Sequence, residues 1–289
     1  MEEFSWDTRG LTLRGRVAGR PDGPPVIMLH GFLDTSASFA SMMEMLGDQW
    51  RIWTPDHRGH GRSDAIGAGG YYHFPDYLLD LDGLYRHLDL EKAVLVGHSM
   101  GASIACYFAG AFPERVSGLV LLDGIGPPNS IVADKIPDST RRWIADVRRR
   151  DAHTSKGAES LEAVARSIGR LSSRATPERL LELAKAATTK DASGRYQWRF
   201  DPLHRTHAPI AFDPVRFRAY LERITCPVLA LWAETSPMHA PDEEARIAAL
   251  GDVTVQTLPG TGHNMHHERP GDVAAAIRVF LSARTPIAP

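Results

Sequence analysis

This sequence has few cysteines and almost no net charge. Two cysteines, Cys106 and Cys226, occur in 289 residues, each within an apolar stretch. We therefore expect two buried free thiols rather than a disulfide. Lysine and arginine together number 33 and aspartate and glutamate 35, which leaves a formal net charge of −2. A balance this close to neutral gives no general attraction to nucleic acid, and we expect none as a partner.

Long apolar runs are also missing. No segment approaches the length of about 20 apolar residues that a membrane-spanning helix needs. Residues 1–4 include two acidic side chains and lack the basic and apolar regions of a secretion signal. These observations predict a cytoplasmic protein without a membrane span, and they leave the oligomeric state open.

Apolar runs of strand length alternate with helical patterns along most of the chain. The runs cover residues 11–17, 24–31, 51–56, 92–97, 116–124, 226–234 and 253–260. Nearly continuous runs of Val, Leu and Ile are typical of strands buried on both faces, and intervening helices are typical of parallel crossovers. The first run alternates in polarity, which favours an early antiparallel strand. The sequence therefore predicts an α/β fold, an open and mostly parallel sheet with helices on both faces.

The pattern changes between residues 125 and 224, where sequences typical of helices occur in place of buried strands. We therefore predict a core domain formed by residues 1–124 and 225–289, with residues 125–224 as a helical cap inserted over the carboxyl ends of the strands. Aromatic and basic side chains in this segment could line an apolar pocket or form the cap's own core, and both interpretations stay open. They are Trp143, Tyr196, Trp198, Phe200, Phe212, Phe217, Tyr220, Arg195, Arg199, His204 and His207.

The stretch LVGHSMGAS places Ser99 between Gly97 and Gly101, directly after an apolar run. A serine spaced in this way is typical of a nucleophile elbow, in which a tight strand-to-helix turn exposes the hydroxyl. An ordinary glycine-rich turn has the same composition. A serine hydroxyl needs a base, and the base needs a carboxylate to orient it, so the motif gains meaning only with partners later in the chain.

The candidate base is His263, which follows the last predicted strand in a glycine-bounded loop. Loops at the carboxyl ends of parallel strands are where functional groups of an open α/β sheet gather. His266 and His267 lie close by, but their spacing matches no zinc motif and a third ligand is unassigned. We therefore expect no metal site and no organic cofactor.

Four stretches occur in the order seen in the α/β-hydrolase fold superfamily: LHGFLD from residue 29, DHRGHGRSD from residue 56, GHSMG from residue 97 and GTGHNMHHERP from residue 260. The chain resembles the capped serine hydrolases of that superfamily, including the serine hydrolase-like esterases. The resemblance covers most of the chain and is weakest through the insertion. It implies an eight-stranded sheet with a helical cap.

The resemblance also implies roles for individual residues. Ser99 matches the nucleophile and His263 the catalytic histidine. The backbone N–H groups of Phe32 and Met100 match the oxyanion hole, whose donors stabilise developing negative charge. In the same region His30 and Asp34 are expected to brace the oxyanion loop, His57 and His60 to hold a tight loop, and His98 to pack beside the elbow.

The orienting acid departs from the family pattern. Ser236 occupies the position where the family often has its aspartate, and a serine cannot support an imidazolium. Asp123, at the end of the run LVLLDG, and Glu234, two positions before the usual place, are the two candidates. Asp123 is the better choice because its strand delivers it to the carboxyl edge of the sheet, although an aspartate before a glycine also suits a plain turn.

These observations favour a serine hydrolase that cleaves a carboxylic ester, thioester or lactone through an acyl-enzyme. The expected partner is a small-molecule ester or acyl compound. A carbon–carbon bond hydrolase, or an acyltransferase without a cofactor, is the alternative on the same fold. Epoxide hydrolases and haloalkane dehalogenases are excluded because they need a carboxylate at position 99. The serine at position 236 is the only support for a non-catalytic ligand-binding protein.

Overall fold

The computed structural model describes residues 1–128, 135–151 and 156–283. Residues 129–134 and 152–155 of the predicted cap, and 284–289 of the predicted core, lie outside the described residues. No helix in the described part of the chain is long and apolar enough to cross a membrane.

Within the described residues, eight strands form one sheet in the order β1-β2-β4-β3-β5-β6-β9-β10, and β7 and β8 form a separate hairpin. The strands are β1 (Glu2–Thr8), β2 (Leu11–Gly19), β3 (Pro25–Leu29), β4 (Arg51–Pro55), β5 (Ala93–His98), β6 (Val116–Leu122), β7 (Thr188–Lys190), β8 (Tyr196–Trp198), β9 (Val228–Thr235) and β10 (Val253–Gly262).

Strands β3 to β6, β9 and β10 pair in parallel, whereas β2 runs antiparallel to both of its neighbours. The predictions of a mostly parallel eight-stranded sheet and of an antiparallel early strand are thus confirmed. The edge strand β1 was not assigned to any apolar run. Its outward positions are exposed and only Trp6 and Thr8 are buried, because an edge strand buries one face.

Helices cover both faces of this sheet. The helices of the described residues, which include those of the predicted cap, are α1 (Ala40–Leu46), α2 (Phe74–His87), α3 (Met100–Ala111), α4 (Ile136–Asp151), α5 (Leu161–Gly169), α6 (Pro177–Ala187), α7 (Pro214–Leu221), α8 (Glu243–Ala249), α9 (Met265–Glu268) and α10 (Pro270–Ser282). One apolar core lies between the sheet and helices α2, α3, α7 and α8. A second core lies on the opposite face, against α1, α9 and α10.

The predicted cap contains helices α4, α5 and α6 and the hairpin β7–β8. Helix α6 begins where a helix should, since Thr176 accepts a hydrogen bond from the backbone of Arg179 and Pro177 occupies the first turn. Helices α5 and α6 share a small apolar core with Tyr196 and Trp198 of the hairpin. Helix α7 instead buries Phe217 in the main core, although residues 214–221 fall inside the predicted insertion.

Candidate active site

Ser99 caps helix α3 directly after strand β5 and has φ of 52° and ψ of −111°. A non-glycine residue rarely adopts a positive φ, and here it holds the serine at the tip of a sharp turn. The two flanking glycines make that turn possible. A Cβ atom on Gly97 would lie 2.4 Å from the carbonyl oxygen of Gly101, and one on Gly101 would lie 2.1 Å from that of Leu29.

His263 follows strand β10 and reaches back to the turn. Its Nε2 lies 3.1 Å from the hydroxyl oxygen of Ser99, which can donate to it. Its Nδ1 lies 2.7 Å from Oδ2 of Asp123. Because a carboxylate only accepts, the proton of the neutral ring belongs on Nδ1, and Nε2 is left as the acceptor for the serine hydroxyl.

Asp123 follows strand β6 and is completely buried. Its Oδ1 accepts a hydrogen bond of 2.8 Å from the backbone N–H of Ala233, so the carboxylate is anchored to strand β9 as well. Its φ of 49° turns the chain sharply after β6, a conformation that aspartate tolerates better than most residues. The three strands β5, β6 and β10 thus bring Ser99, Asp123 and His263 together at one edge of the sheet.

Ser236 and Glu234 have other contacts. The hydroxyl of Ser236 donates to Oδ2 of Asp123 over 2.9 Å and accepts from the backbone N–H of Met238. Glu234 is exposed and accepts a hydrogen bond of 3.1 Å from the backbone of Gly260. Of the two candidate acids, the structure therefore brings Asp123 to His263 and leaves Glu234 outside. The support that Ser236 gives to Asp123 was not foreseen, because a serine in that position carries no sequence signal for it.

The predicted oxyanion loop, residues 30–34, lies against Ser99. A Cβ atom on Gly31 would be 3.4 Å from Cβ of Ser99, so the following N–H group of Phe32 starts close to the serine. The side chain of Phe32 is 50% exposed. The N–H of Met100 is at the first turn of α3, where backbone donors have no partner inside the helix.

Buried histidines support this loop. His30 donates through Nδ1 to the carbonyl oxygen of Gly31 and accepts through Nε2 from the backbone of His57. The Nδ1 of His60 lies 3.1 Å from the carbonyl oxygen of Arg58, and its Nε2 accepts a 3.3 Å hydrogen bond from the N–H of Leu33. Burial holds the pKa of His57 and of His60 well below its usual value, so both rings stay neutral. The bracing and structural roles predicted for these residues agree with the contacts.

Asp34 lies at the far end of the loop, where two more histidines approach it. Its Oδ2 is 3.2 Å from Nε2 of His267 and 3.6 Å from Nε2 of His266. Although burial raises the pKa of Asp34, attraction to His267 and His266 and the hydrogen bond from His267 lower it well below its usual value. Burial and repulsion from His267 lower the pKa of His266 to about 3.

These three side chains could hold a metal ion, because their donor atoms lie within 4.8 Å of one another. His267, however, already has a partner on each ring nitrogen, since Nδ1 lies 3.0 Å from the hydroxyl of Ser172. The expectation of no metal therefore stays a prediction. The bond from Ser172, which belongs to the predicted cap, ties the cap to the oxyanion loop through His267.

Arg246 on helix α8 is a buried residue that the sequence did not single out. Its guanidinium donates to the carbonyl oxygens of Ile125 and Pro127 and pairs with Asp242 over 2.7 Å. It therefore holds the segment that follows Asp123. The sequence did not predict this role, because one arginine on the apolar side of an amphipathic helix is no distinctive sequence feature.

Most of the residues predicted to line a pocket or fill the cap contact other residues of the protein. Tyr196 and Trp198 pack in the cap core, and Arg199 donates to the carbonyl oxygen of Thr188. His207 is paired with Asp146. Partners elsewhere in the protein engage Trp143, Phe200, Phe212, Phe217, Tyr220 and Arg195. His204 is buried as well: its ring lies 3.9 Å from that of Tyr72 and 4.1 Å from that of His60, between centroids, and it meets the ring of Phe32 edge-on at 6.3 Å.

Residues 24–270 match the family described as alpha/beta hydrolase fold. The chain belongs to the α/β-hydrolase fold family. This membership agrees with the strand order and with the turn at Ser99, and it confirms the resemblance noted in the sequence. It places the chain among hydrolase relatives without deciding which bond is cleaved.

Three relatives illustrate the similarity. The serine hydrolase-like protein of Danio rerio is 37% identical over 124 residues, which are 43% of this chain, and the match spans 38% of the length of that protein. The sn-1-specific diacylglycerol lipase of Mus musculus is 28% identical over 279 residues, covering 90% of this chain and 81% of that one. A hypothetical protein of Pseudomonas aeruginosa PAO1 superposes with a TM-score of 0.87 and 30% identity, covering 98% of this chain and 99% of that one.

Proposed function

We propose that this protein is a serine hydrolase that cleaves a carboxylic ester, or a thioester or lactone, through an acyl-enzyme. The observation that carries the proposal is the unbroken hydrogen-bond path from the Ser99 hydroxyl through His263 to Asp123, with distances of 3.1 and 2.7 Å. A nucleophile, a base and an orienting acid in this order are what acyl transfer requires. The mouse relative, named as a diacylglycerol lipase, supports an ester as the substrate class.

In the proposed reaction the Ser99 hydroxyl oxygen attacks the carbonyl carbon while His263 takes its proton on Nε2. The backbone N–H groups of Phe32 and Met100 stabilise the oxyanion that forms. Asp123 stabilises the imidazolium through Nδ1. His263 then returns the proton to the leaving alcohol or thiol, and an acyl-Ser99 ester remains.

Water completes the cycle by attacking the acyl-enzyme with His263 as the general base, which releases the acid and restores the serine. The cycle uses no metal and no organic cofactor. The exposed ring of Phe32 on the oxyanion loop favours an apolar acyl or aryl group. We also propose that residues 125–224 act as a cap over the site, supported by the contact between Ser172 and His267.

A cytoplasmic location is part of the proposal. It is supported by the two thiols, Cys106 and Cys226, which are both free and buried. Free thiols persist in reducing compartments, whereas secreted proteins tend to pair their cysteines.

The test is hydrolysis of p-nitrophenyl esters from short to long acyl chains. We expect the wild type to turn over, S99A to be inactive, and D123N to lose about 10⁴-fold in kcat because the base loses its orienting charge. E234Q is the matched carboxylate control, and an exposed substitution of this kind should change kcat/KM by no more than about twofold.

Two results would contradict the proposal. The first is a wild type that hydrolyses no ester of the series, which would direct the search to carbon–carbon substrates, acyl acceptors or a binding role. The second is turnover by S99A at the wild-type rate, which would remove Ser99 from the reaction. A large loss of kcat in E234Q, with D123N close to the wild type, would identify Glu234 rather than Asp123 as the acid.

A further inference from the structure

His98 is a buried residue that the proposed reaction does not use. It is the last residue of strand β5, directly before Ser99, and its side chain is 2% exposed. In the sheet it pairs with Leu122, the residue before Asp123. Its ring therefore lies among the segments that carry the nucleophile and the acid.

The ring of His98 also holds the segment that carries the base. Its Nε2 lies 2.9 Å from the backbone carbonyl oxygen of His263. Because a carbonyl oxygen only accepts, Nε2 must carry the hydrogen. Burial and repulsion from His266 and His263 lower the pKa of His98 well below its usual value, so the ring is neutral and Nδ1 carries no proton. The hydrogen bond to the carbonyl oxygen of His263 thus fixes the tautomer of His98 with its proton on Nε2.

The other side of the ring packs against the oxyanion loop. A Cβ atom on Gly31 would lie 2.6 Å from Nδ1 of His98 and 3.1 Å from its Cε1. This nitrogen is buried and has no hydrogen-bond partner among the described residues. The absence of a side chain at position 31 is therefore what lets the loop that carries the N–H of Phe32 approach the ring.

We propose that His98 is a positioning residue, which holds the segments carrying Ser99, His263 and Phe32 at their mutual distances. This inference rests on the proposed function of Ser99 and His263. His98 touches no reacting atom, so it acts on the alignment of the catalytic groups. A shift of about 1 Å in such groups can cost about 100-fold in rate, whereas contacts to parts of the substrate away from the reacting bond need not change.

The experiment compares H98L with H98Q on the best p-nitrophenyl ester. Leucine fills similar space without a donor, and the side-chain amide of glutamine can donate to the carbonyl oxygen of His263. We expect kcat of H98L to fall by about 10- to 100-fold with KM nearly unchanged, and H98Q to recover most of the loss. L84A, a core change in helix α2, which carries none of the triad residues, is the control for lost stability and should keep its kcat.

A second readout does not depend on turnover. The proton between His263 Nδ1 and Asp123 gives a downfield resonance in the proton NMR spectrum, which we expect to shift or vanish in H98L and to persist in H98Q. Equal kcat for H98L and the wild type would overturn the inference. So would a fall in kcat that glutamine does not rescue while the resonance stays unchanged. If the wild type hydrolyses no ester, the proposed function fails, and the resonance alone decides whether His98 positions His263.

Discussion

At the residue scale, the carboxylate of Asp123 illustrates how a site tolerates an unusual residue. The serine at position 236 cannot replace an acid, but its hydroxyl donates to the oxygen that also faces His263. A second hydrogen bond holds that oxygen in one place, which favours a single orientation of the imidazole. In the proposed triad, Asp123 and Ser236 therefore act together.

We expect S236A to lower kcat/KM by about 10- to 100-fold, because a hydrogen bond to a charged group contributes about 1.5–3 kcal/mol. The measurement is ester hydrolysis under the conditions used for D123N. S282A, at an exposed position at the end of helix α10, is the control and should match the wild type. A loss in S236A as large as that in D123N would mean that the hydroxyl itself, rather than Asp123, supports the base.

The glycine at position 101 gives a second prediction at this scale. We expect G101A to fail to accumulate as folded protein, because its Cβ would lie 2.1 Å from the backbone oxygen of Leu29 and strand β3 cannot move aside. Overpacking of this kind typically costs about 1–3 kcal/mol, and more where backbone is the obstacle. The measurement is soluble yield and urea denaturation.

G251A is the matched control, because a Cβ there would meet nothing within 4 Å. It should fold with stability equal to that of the wild type or slightly higher, since alanine reduces the entropy of the unfolded chain. Equal stability for G101A and G251A would show that helix α3 can shift away from β3.

At the scale of elements, helix α8 fixes the segment that follows strand β6. Arg246 is 2% exposed and donates to two carbonyl oxygens of that segment. Its guanidinium also lies over the rings of Phe212 and Phe217, with distances of 5.2 and 5.8 Å to the centroids. The position of helix α8 is thereby coupled to the position of Asp123.

We expect R246M to lower the free energy of unfolding by about 3 kcal/mol, because it leaves buried carbonyl oxygens and Asp242 without their partner. It should also lower kcat, since the chain after Asp123 loses its anchor. Urea denaturation and ester hydrolysis measure the two effects. R86M removes an exposed arginine from helix α2 and should change stability by no more than about 0.5 kcal/mol. Similar values for the two variants would contradict the anchoring role.

At the scale of the whole molecule, the protein keeps many histidines neutral in its interior. Burial lowers the pKa of His204 to about 4 and, with repulsion from His267, that of His266 to about 3. The pKa values of His57, His60 and His98 also lie well below the usual value. The unfolded chain would protonate these rings near pH 6.5, so it binds more protons than the folded state below that pH.

We therefore expect the free energy of unfolding to be highest above about pH 6.5 and to fall as the pH decreases toward 4, by up to about 1.4 kcal/mol per pH unit for each neutral ring. The carboxylate of Asp34, whose pKa is lowered, adds a loss in the same direction at still lower pH. Urea denaturation at about pH 7.5 and 5.5 measures the change. H204F removes one titrating group and should reduce the dependence, whereas an unfolding free energy that is equal at both pH values would contradict the prediction.

The sequence determined much of this protein through short-range patterns. Apolar runs predicted the six parallel strands. Four of them, β3, β5, β6 and β9, are buried along most of their length, because a strand covered on both faces needs apolar residues at nearly every position. The glycines around Ser99 indicated the turn, because only residues without a Cβ fit beside that strand and helix. Edge strand β1 buries only one face, so it has too few apolar residues to be predicted as a strand.

Only the tertiary structure decided between Asp123 and Glu234, because Asp123 directly follows strand β6 and Glu234 lies at the end of strand β9, at the same edge of the sheet. The choice depends on a distance of 2.7 Å between atoms that are 140 positions apart in the chain. The same holds for the contact of Ser236 with Asp123, of His98 with His263, and of Arg246 with Ile125. Each of these contacts joins residues that are distant in sequence, and local periodicity or spacing cannot predict such a contact.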